Sequence, residues 1–406
     1  MNIKAGFLNA SLVVLASVAS ISAHAVGFRL PNQDPEGIAR GNANVASVAN
    51  PSAIYYNPAG ITKVEEGKHL RLGAYLISAN VDYSSANGAV TGETDESFQP
   101  VPQIYYVKKS GNSDFTYGLG VYAPYGLGID WETSPFPTLA KEGELKYLTV
   151  SPVVGYQVNN ELSLAFGLTY NYSDVDLTQA IGILPDDEFN IRGTGNDLGF
   201  TLGMQWQINN NWDFGLAYRS ETEIDYDGES RATSSPVFQE YLPSRASLVF
   251  PQYLDMGFAY TPNEIWSFEV NVDWTDWDSV GTTTFEGTAL GDLALPLNYE
   301  SSLMYEFGAT KVLDEKYELS FGYIFSENSA PDTTFTPFNS DADLHLGSIG
   351  LKSKGERFDW MVGYHFAYNS GRQVTGNQQF SLAGDSADGR YEILNHAINL
   401  GIQFNF

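Results

Sequence analysis

The chain has 406 residues, with 49 acidic against 21 basic side chains and a formal net charge of −28. That balance excludes a nucleic-acid binder, which needs a basic footprint, and the absence of cysteine excludes disulfides, thiol catalysis and a lipid anchor on an N-terminal Cys. Charged residues make up only 17% and aromatics 14% of the chain, yet no internal apolar run approaches the roughly 18 residues of a transmembrane helix. A barrel whose strands face lipid on one side and a wet lumen on the other accounts for the mixture. The acidic excess reads as a solvated exterior. The sharper alternative is divalent cations bridging acidic loops to lipopolysaccharide, but no Asp/Glu cluster has the spacing of a Ca²⁺ loop, so no metal is assigned.

In chain order, residues 1–25 are expected to be a signal peptide: Lys4 supplies the positive end, Phe7 to Ala19 the apolar stretch and Ala23-His24-Ala25 the cleavage site. Val26 then starts the mature chain. Residues 26–66 lack strand alternation, are rich in Ala, Gly, Asn and Ser, and are punctuated by Pro31, Pro35, Pro51 and Pro58. A short, weak helix is expected within Pro35 to Ala49. Such a segment buries too little apolar area to fold alone, but it suits a hatch held inside a closed barrel formed by residues 67–406.

From His69 onward the period is two. Leu162, Leu164, Phe166, Leu168, Tyr170 and Tyr172 alternate with Ser163, Ala165, Gly167, Thr169 and Asn171, and the same pattern runs through Trp212 to Arg219 and Phe358 to Tyr368. Large apolar residues on one face and small or polar ones on the other put lipid outside and the lumen inside; a soluble barrel would reverse this. Strands are expected at 68–84, 100–109, 113–123, 144–158, 160–180, 194–208, 211–228, 245–260, 264–278, 298–312, 316–328, 342–354, 356–374 and 388–406. The result is a fourteen-stranded antiparallel transmembrane β-barrel of the all-β class. Tight turns at Ser110-Gly111-Asn112, Asn159-Asn160, Asn209-Asn210, Pro262-Asn263, Asp314-Glu315 and Ser353-Lys354-Gly355 alternate with seven loops of roughly 13 to 20 residues, the short-inside, long-outside asymmetry of such barrels. The last strand ends Ile398, Leu400, Ile402, Phe404, Phe406 on one face, similar to an assembly signal for the bacterial outer membrane. Pro124, Pro152 and Pro251 each mark a strand end, bulge or kink. Trp266, Trp274 and Trp277 are expected to anchor the two membrane interfaces.

Little in the chain suggests catalysis. His69, His345, His365 and His396 have no local nucleophile partner, and Asp186-Asp187 reads as a solvated loop pair, so neither an enzyme nor a cofactor is expected. The predicted lumen carries Asp213, Glu221, Glu223, Asp255, Glu269, Asp273, Glu306 and Glu318, with Arg219 a rare basic member. They read as a hydrogen-bonded network holding the N-terminal segment or, alternatively, as a lumen that disfavours anionic cargo.

Several blocks resemble the FadL-type family of outer-membrane transporters for long-chain fatty acids and other hydrophobic compounds: Gly27-Phe28, Tyr56-Asn57-Pro58-Ala59-Gly60, Gly118 to Glu132, Gly215 to Glu221 and Val272 to Val280. Their order and spacing extend the resemblance over the whole mature chain. It implies a hatch motif at Asn57, Pro58, Ala59 and Gly60, and an apolar pocket reached by Gly27 and Phe28. It also implies a lateral opening at a kink in the third strand, mapping to Gly118, Gly120, Ala123, Pro124 and Gly126; an ordinary strand end at Pro124 is the alternative. The implied function is passive uptake with sideways release into the membrane, of long-chain fatty acids ahead of neutral hydrocarbons. A general porin or a surface receptor ranks behind both. Basic residues for a carboxylate are not placed by any motif. The partners so implied are the hydrophobic cargo, outer-membrane lipid and lipopolysaccharide and the barrel assembly machinery, with the protein a monomer in the bacterial outer membrane.

Overall fold

The computed structural model describes residues 27–95, 98–131, 133–184, 187–233, 240–381 and 383–406; the expected signal peptide and Asp186 lie outside them. Strands run up and down in sequence order and close on themselves in fourteen passes. These are β1 (Gly67–Ser84), β2 (Gln99–Lys109), β3 (Phe115–Tyr122 and Gly126–Asp130), β4 (Glu142–Gln157), β5 (Leu162–Ala180), β6 (Glu188–Gln207) and β7 (Trp212–Arg219 and Thr222–Ala232). Then follow β8 (Leu242–Phe250 and Tyr253–Tyr260), β9 (Trp266–Thr275 and Thr282–Thr288), β10 (Gly291–Pro296 and Ser302–Val312), β11 (Tyr317–Ser326), β12 (Leu344–Ser353), β13 (Phe358–Tyr368 and Arg372–Val374) and β14 (Gly389–Asn405). The seam is an unbroken antiparallel ladder from Ser84↔Arg390 to His69↔Asn405. Closure removes the sheet's edges everywhere but at a break in β3, which is what lets a sheet stand in hydrocarbon.

Side-chain direction follows the sequence period. Leu164, Phe166, Leu168, Tyr170 and Tyr172 are exposed, while Ser163, Ala165, Thr169 and Asn171 are buried. So continuous an exposed apolar belt is a lipid-facing surface. Four of the tight turns are built alike: Asn159, Asn209, Asn263 and Asp314 each turn a side-chain oxygen back onto the two N–H groups that start the next strand, at 2.7–3.2 Å. A short acceptor side chain at the first turn position is what that geometry requires. Trp212 stacks on Tyr260 beside this rim, their ring centroids 4.6 Å apart.

At the opposite rim several strands climb past the expected loops. β6 begins at Glu188 rather than near 194, and β9 and β10 continue as a hairpin, Thr282–Thr288 against Gly291–Pro296. The connections at 181–187 and 289–290 are therefore shorter than expected.

Three proline expectations resolve differently. Pro251 falls in a break within β8, between Phe250 and Tyr253. Pro152 only interrupts pairing to β5, with no change of register between Val150↔Tyr170 and Val153↔Gly167. Pro124 lies in the break within β3.

Residues 27–66 sit inside the ring and are almost wholly buried. Their first helix, α1 (Pro35–Ala39), is short for legible reasons. Asp34 caps it by accepting from Glu36 N and Gly37 N at 2.9 and 3.2 Å, Pro35 occupies the first turn, and Gly41 and Asn42 turn to positive φ just past its end. A second helix, α2 (Ala53–Tyr56), leads into a 3-10 turn at Pro58–Lys63.

Candidate functional site

The N-terminal end of the plug enters an aromatic nest. Gly27 has φ +58, and a Cβ there would lie 2.6 Å from the Trp277 ring, so only glycine fits on both counts. Phe28 then meets Trp277 and Phe250 edge-on, with centroids 4.9 and 5.5 Å away, and lies tilted against Tyr125 and Tyr299 at 6.0 and 6.4 Å. Above it opens an apolar chamber whose empty space, counting its open mouth, is about 660 Å³, walled by the upper parts of β3, β4, β5 and β7 to β10 and by the β11–β12 loop. No charged residue is among its described lining residues. Polar groups at its edge satisfy one another: Tyr226 Oη lies 2.6 Å from Ser173 Oγ, and Asn339 donates to Tyr299 Oη at 2.9 Å. Nearby, the loop carboxylate of Asp341 accepts from Gly27 N at 3.4 Å. Its burial raises its pKa, against the Ser329 N–H and the Arg372 guanidinium, which favour the ionised form.

Directly beneath lies a layer of opposite character. Arg29 donates to Asp273 at 2.6 Å and Thr275 at 2.7 Å, approaches Asp255 at 4.0 Å and stacks 3.6 Å over the Tyr253 ring. Glu269 accepts from the N–H groups of Val45, Ala46 and Ser47 at 2.6, 2.7 and 3.2 Å and from Arg40 at 3.3 Å. Arg219 is buried too, but it meets tyrosines: it donates to Tyr122 Oη and lies over the rings of Tyr55, Tyr122 and Tyr253. At the far end of the plug Arg71 binds Asp34 and Glu36, and Lys352 reaches Glu36. Glu36 is held well down, at about 2, because Lys352 and Arg71 outweigh the burial that would raise it.

The motif at Asn57 ties plug to wall. Its Nδ2 donates to Val45 O at 2.8 Å within the plug and to Met204 O of β6 at 2.9 Å, while Oδ1 caps the 3-10 turn through Ala59 N at 3.1 Å. Pro58 fills the first position of that turn. Gly60 leaves room for a backbone, since a Cβ there would stand 2.4 Å from Val48 O.

The third strand is broken, and the plug fills the break. β2 pairs with β3 only from Ile104↔Val121 onward. Beyond that, its Gln99 to Gln103 stretch has β1 as its sole strand partner among the described residues. Pro100 and Pro102 have no N–H to give, so the β1 ladder runs through Gln99, Val101 and Gln103, and the proline nitrogens turn to the free edge. Across this edge the plug pairs with β3: Leu30 N donates to Pro124 O at 2.8 Å, Gly126 N to Phe28 O at 3.0 Å, and Arg29 bridges Tyr125. The fully buried Gln33 acts as a strand partner for Ala123, donating to its O at 2.6 Å and accepting from its N at 3.3 Å.

Several expectations change here. Gly118 and Gly120 lie in regular ladder, not in the break; they make room for Ile54, whose side chain would be 2.8 Å from a Cβ at either position. Ala123, Pro124 and Gly126 do lie at the break. Glu221 and Glu223 point outward, because Ser220 and Glu221 together separate the inward Arg219 and Thr222 and shift the parity of β7. Trp277 is no interface anchor: the chain bends at Asp276 and turns it inward onto Phe28. Period two already contained that signal, since residues three apart cannot share a face. Arg29 and Gln33 carried no sequence signal.

The sequence profile of the outer membrane protein transport protein family (OMPP1/FadL/TodX) matches residues 16–406. A long-chain fatty acid transport protein of Escherichia coli is 20% identical, over 100% of both chains. The crystal structure of a Pseudomonas aeruginosa FadL homologue superposes with a TM-score of 0.81 at 16% identity, covering 94% of this chain and 100% of that one. The Ralstonia pickettii toluene transporter TbuX gives 0.70 at 17% identity, with coverage of 93% and 99%. The chain is an outer-membrane β-barrel and belongs to the OMPP1/FadL/TodX family of outer-membrane transport proteins.

Proposed function

We propose that this protein is a passive outer-membrane channel for hydrophobic compounds, long-chain fatty acids first, in which residues 27–66 are the hatch and the break in β3 is the lateral exit. One observation carries the reading: the segment that puts Phe28 into the apolar chamber is the segment that seals the break through Leu30 and Gln33. Cargo that displaces Phe28 therefore acts on the seal directly. An apolar molecule gains about 25 cal/mol per Å² on leaving water for such a chamber, and consumption inside the cell supplies the gradient, so no energy coupling is invoked. The chain transports and does not catalyse. It works as a monomer placed by the barrel assembly machinery among lipid and lipopolysaccharide.

Neutral hydrocarbons are a second reading, favoured by the absence of any charged group among the described lining residues. Uptake of labelled oleate and labelled toluene by assembled protein, in a host lacking its own transporter, separates the two. Saturable uptake of either that weakens in Phe28→Gly is expected. A correctly assembled barrel that takes up neither overturns the reading.

A further inference from the structure

A second, mainly apolar cavity, with about 720 Å³ of empty space counting its open mouth, lies outside the first and is lined by residues such as Phe189, Ile191, Leu293 and Phe380. The two cavities share Leu177, Phe285, Leu295, Thr336 and Phe338, so these five form the partition between them. Leu177, Phe285 and Leu295 stand on β5, β9 and β10, fixed by strand ladders. Thr336 and Phe338 stand on the β11–β12 loop, and the backbone around Phe338 is pinned. Phe338 N donates to Thr336 Oγ1 at 3.3 Å, Asn339 N to Thr336 O at 3.0 Å, Asn339 Nδ2 to Tyr299 Oη at 2.9 Å and Trp131 Nε1 to Pro337 O at 3.2 Å. The ring packs by van der Waals contact, and it closes against Gly143. A Cβ on Gly143 of β4 would lie 2.7 Å from Phe338 Cδ1, closer than packed atoms tolerate.

We propose that Phe338 is the aperture between an outer collecting chamber and the inner chamber, and that its ring sets the cross-section of the cargo. The step from one cavity to the other requires the ring to turn about its own side-chain bonds on a fixed backbone. A rotation of that kind clears a slot one ring wide against Gly143. Alkyl chains and single rings pass lengthwise or edge-on; fused polycyclic hydrocarbons, equally apolar, are held in the outer chamber. Selection at this point is by shape and not by polarity, because neither cavity has a charged residue among its described lining residues. This inference rests on the uptake reading above.

The test compares labelled oleate, toluene and pyrene with wild type, Phe338→Ala, Phe338→Trp and Gly143→Ala, each assembled in the outer membrane and checked for resistance to unfolding in cold detergent. Wild type should take up oleate or toluene and little pyrene. Phe338→Ala should raise the pyrene-to-oleate uptake ratio about tenfold, the scale at which pocket volume discriminates apolar ligands. Phe338→Trp and Gly143→Ala, which narrow the slot, should slow all three probes. A Phe338→Ala barrel that is assembled, takes up oleate and keeps the wild-type ratio overturns the aperture while leaving the uptake reading intact. Failure of wild type to take up oleate or toluene overturns both.

Discussion

The chamber around Phe28 and the layer beneath it sit one residue apart in sequence and follow opposite physics. Above, Phe28 is held by aromatic edges and by exclusion of water, with no charged neighbour in the described lining. Below, from Arg29 onward, the plug is held by buried ion pairs and charge-assisted hydrogen bonds to Asp273 and Glu269. Non-directional contacts yield gradually to an apolar competitor, whereas a buried carboxylate that loses its partners is costly. The contrast teaches that Phe28 yields first to cargo, that moving residues 29–33 with it also costs the Arg29–Asp273 pair, and that residues 34–66 stay seated.

That division can be broken most decisively by covalent means. Arg29 and Tyr125 face each other as a bridge flanked by hydrogen-bonded neighbours, a pairing with Cα atoms about 4.5 Å apart and within disulfide reach. The natural chain has no cysteine. In Arg29→Cys/Tyr125→Cys, oxidation should abolish oleate or toluene uptake and a reductant should restore it in the same sample. Equal uptake in both states would mean that residues 27–33 need not move. Next in size, Glu269→Ala leaves three backbone N–H groups and Arg40 unpaired and should destabilise the plug by about 3–5 kcal/mol. The readout is hydrogen exchange at residues 40–50, with the barrel strands unaffected. Asn57→Ala removes two carbonyl contacts and a cap, about 1–2 kcal/mol, and should loosen residues 45–63 and impair uptake without affecting assembly. Unchanged protease resistance of the plug would count against its anchoring role. The smallest effect is that of pH. Glu36 has a depressed pKa of about 2 in the folded protein, against about 4.3 when unfolded. Its contribution is present above the unfolded value and is lost as pH falls through the folded one. Protection of α1 should hold at neutral pH and weaken only between about 4 and 2, and Lys352→Met, which leaves Arg71 in place, should reduce that acid dependence.

The wall was legible because a two-sided solvent imposes period two on every strand. The turns were legible because Asn159, Asn209, Asn263 and Asp314 are the residue types that cap them. Parity fails where the ladder slips by a residue, which is why Glu221 and Glu223 read as lumenal; at Trp277 parity points inward, and only the grouping of three tryptophans suggests the lipid interface. Pro124 announced the break in β3, but Gly118 and Gly120 had another reason to lack side chains, the seating of Ile54. The chamber stayed hidden because its lining comes one or two residues at a time from many strands and from the loop carrying Phe338, and no local pattern records such convergence. Gln33 was illegible for a related reason: only the fold shows that an amide side chain stands in for a missing strand.

The free edge of β2 has a consequence for neighbouring chains. An unpaired strand edge in hydrocarbon ordinarily invites another strand to add to it, which in a crowded membrane means barrels zipping together through their walls. Pro100 and Pro102 leave that edge with acceptors and too few donors, and on the facing side the plug already occupies Pro124 O and Gly126 N. A neighbouring barrel thus finds no ladder to complete, and the wall can carry a permanent seam without becoming a seed for aggregation.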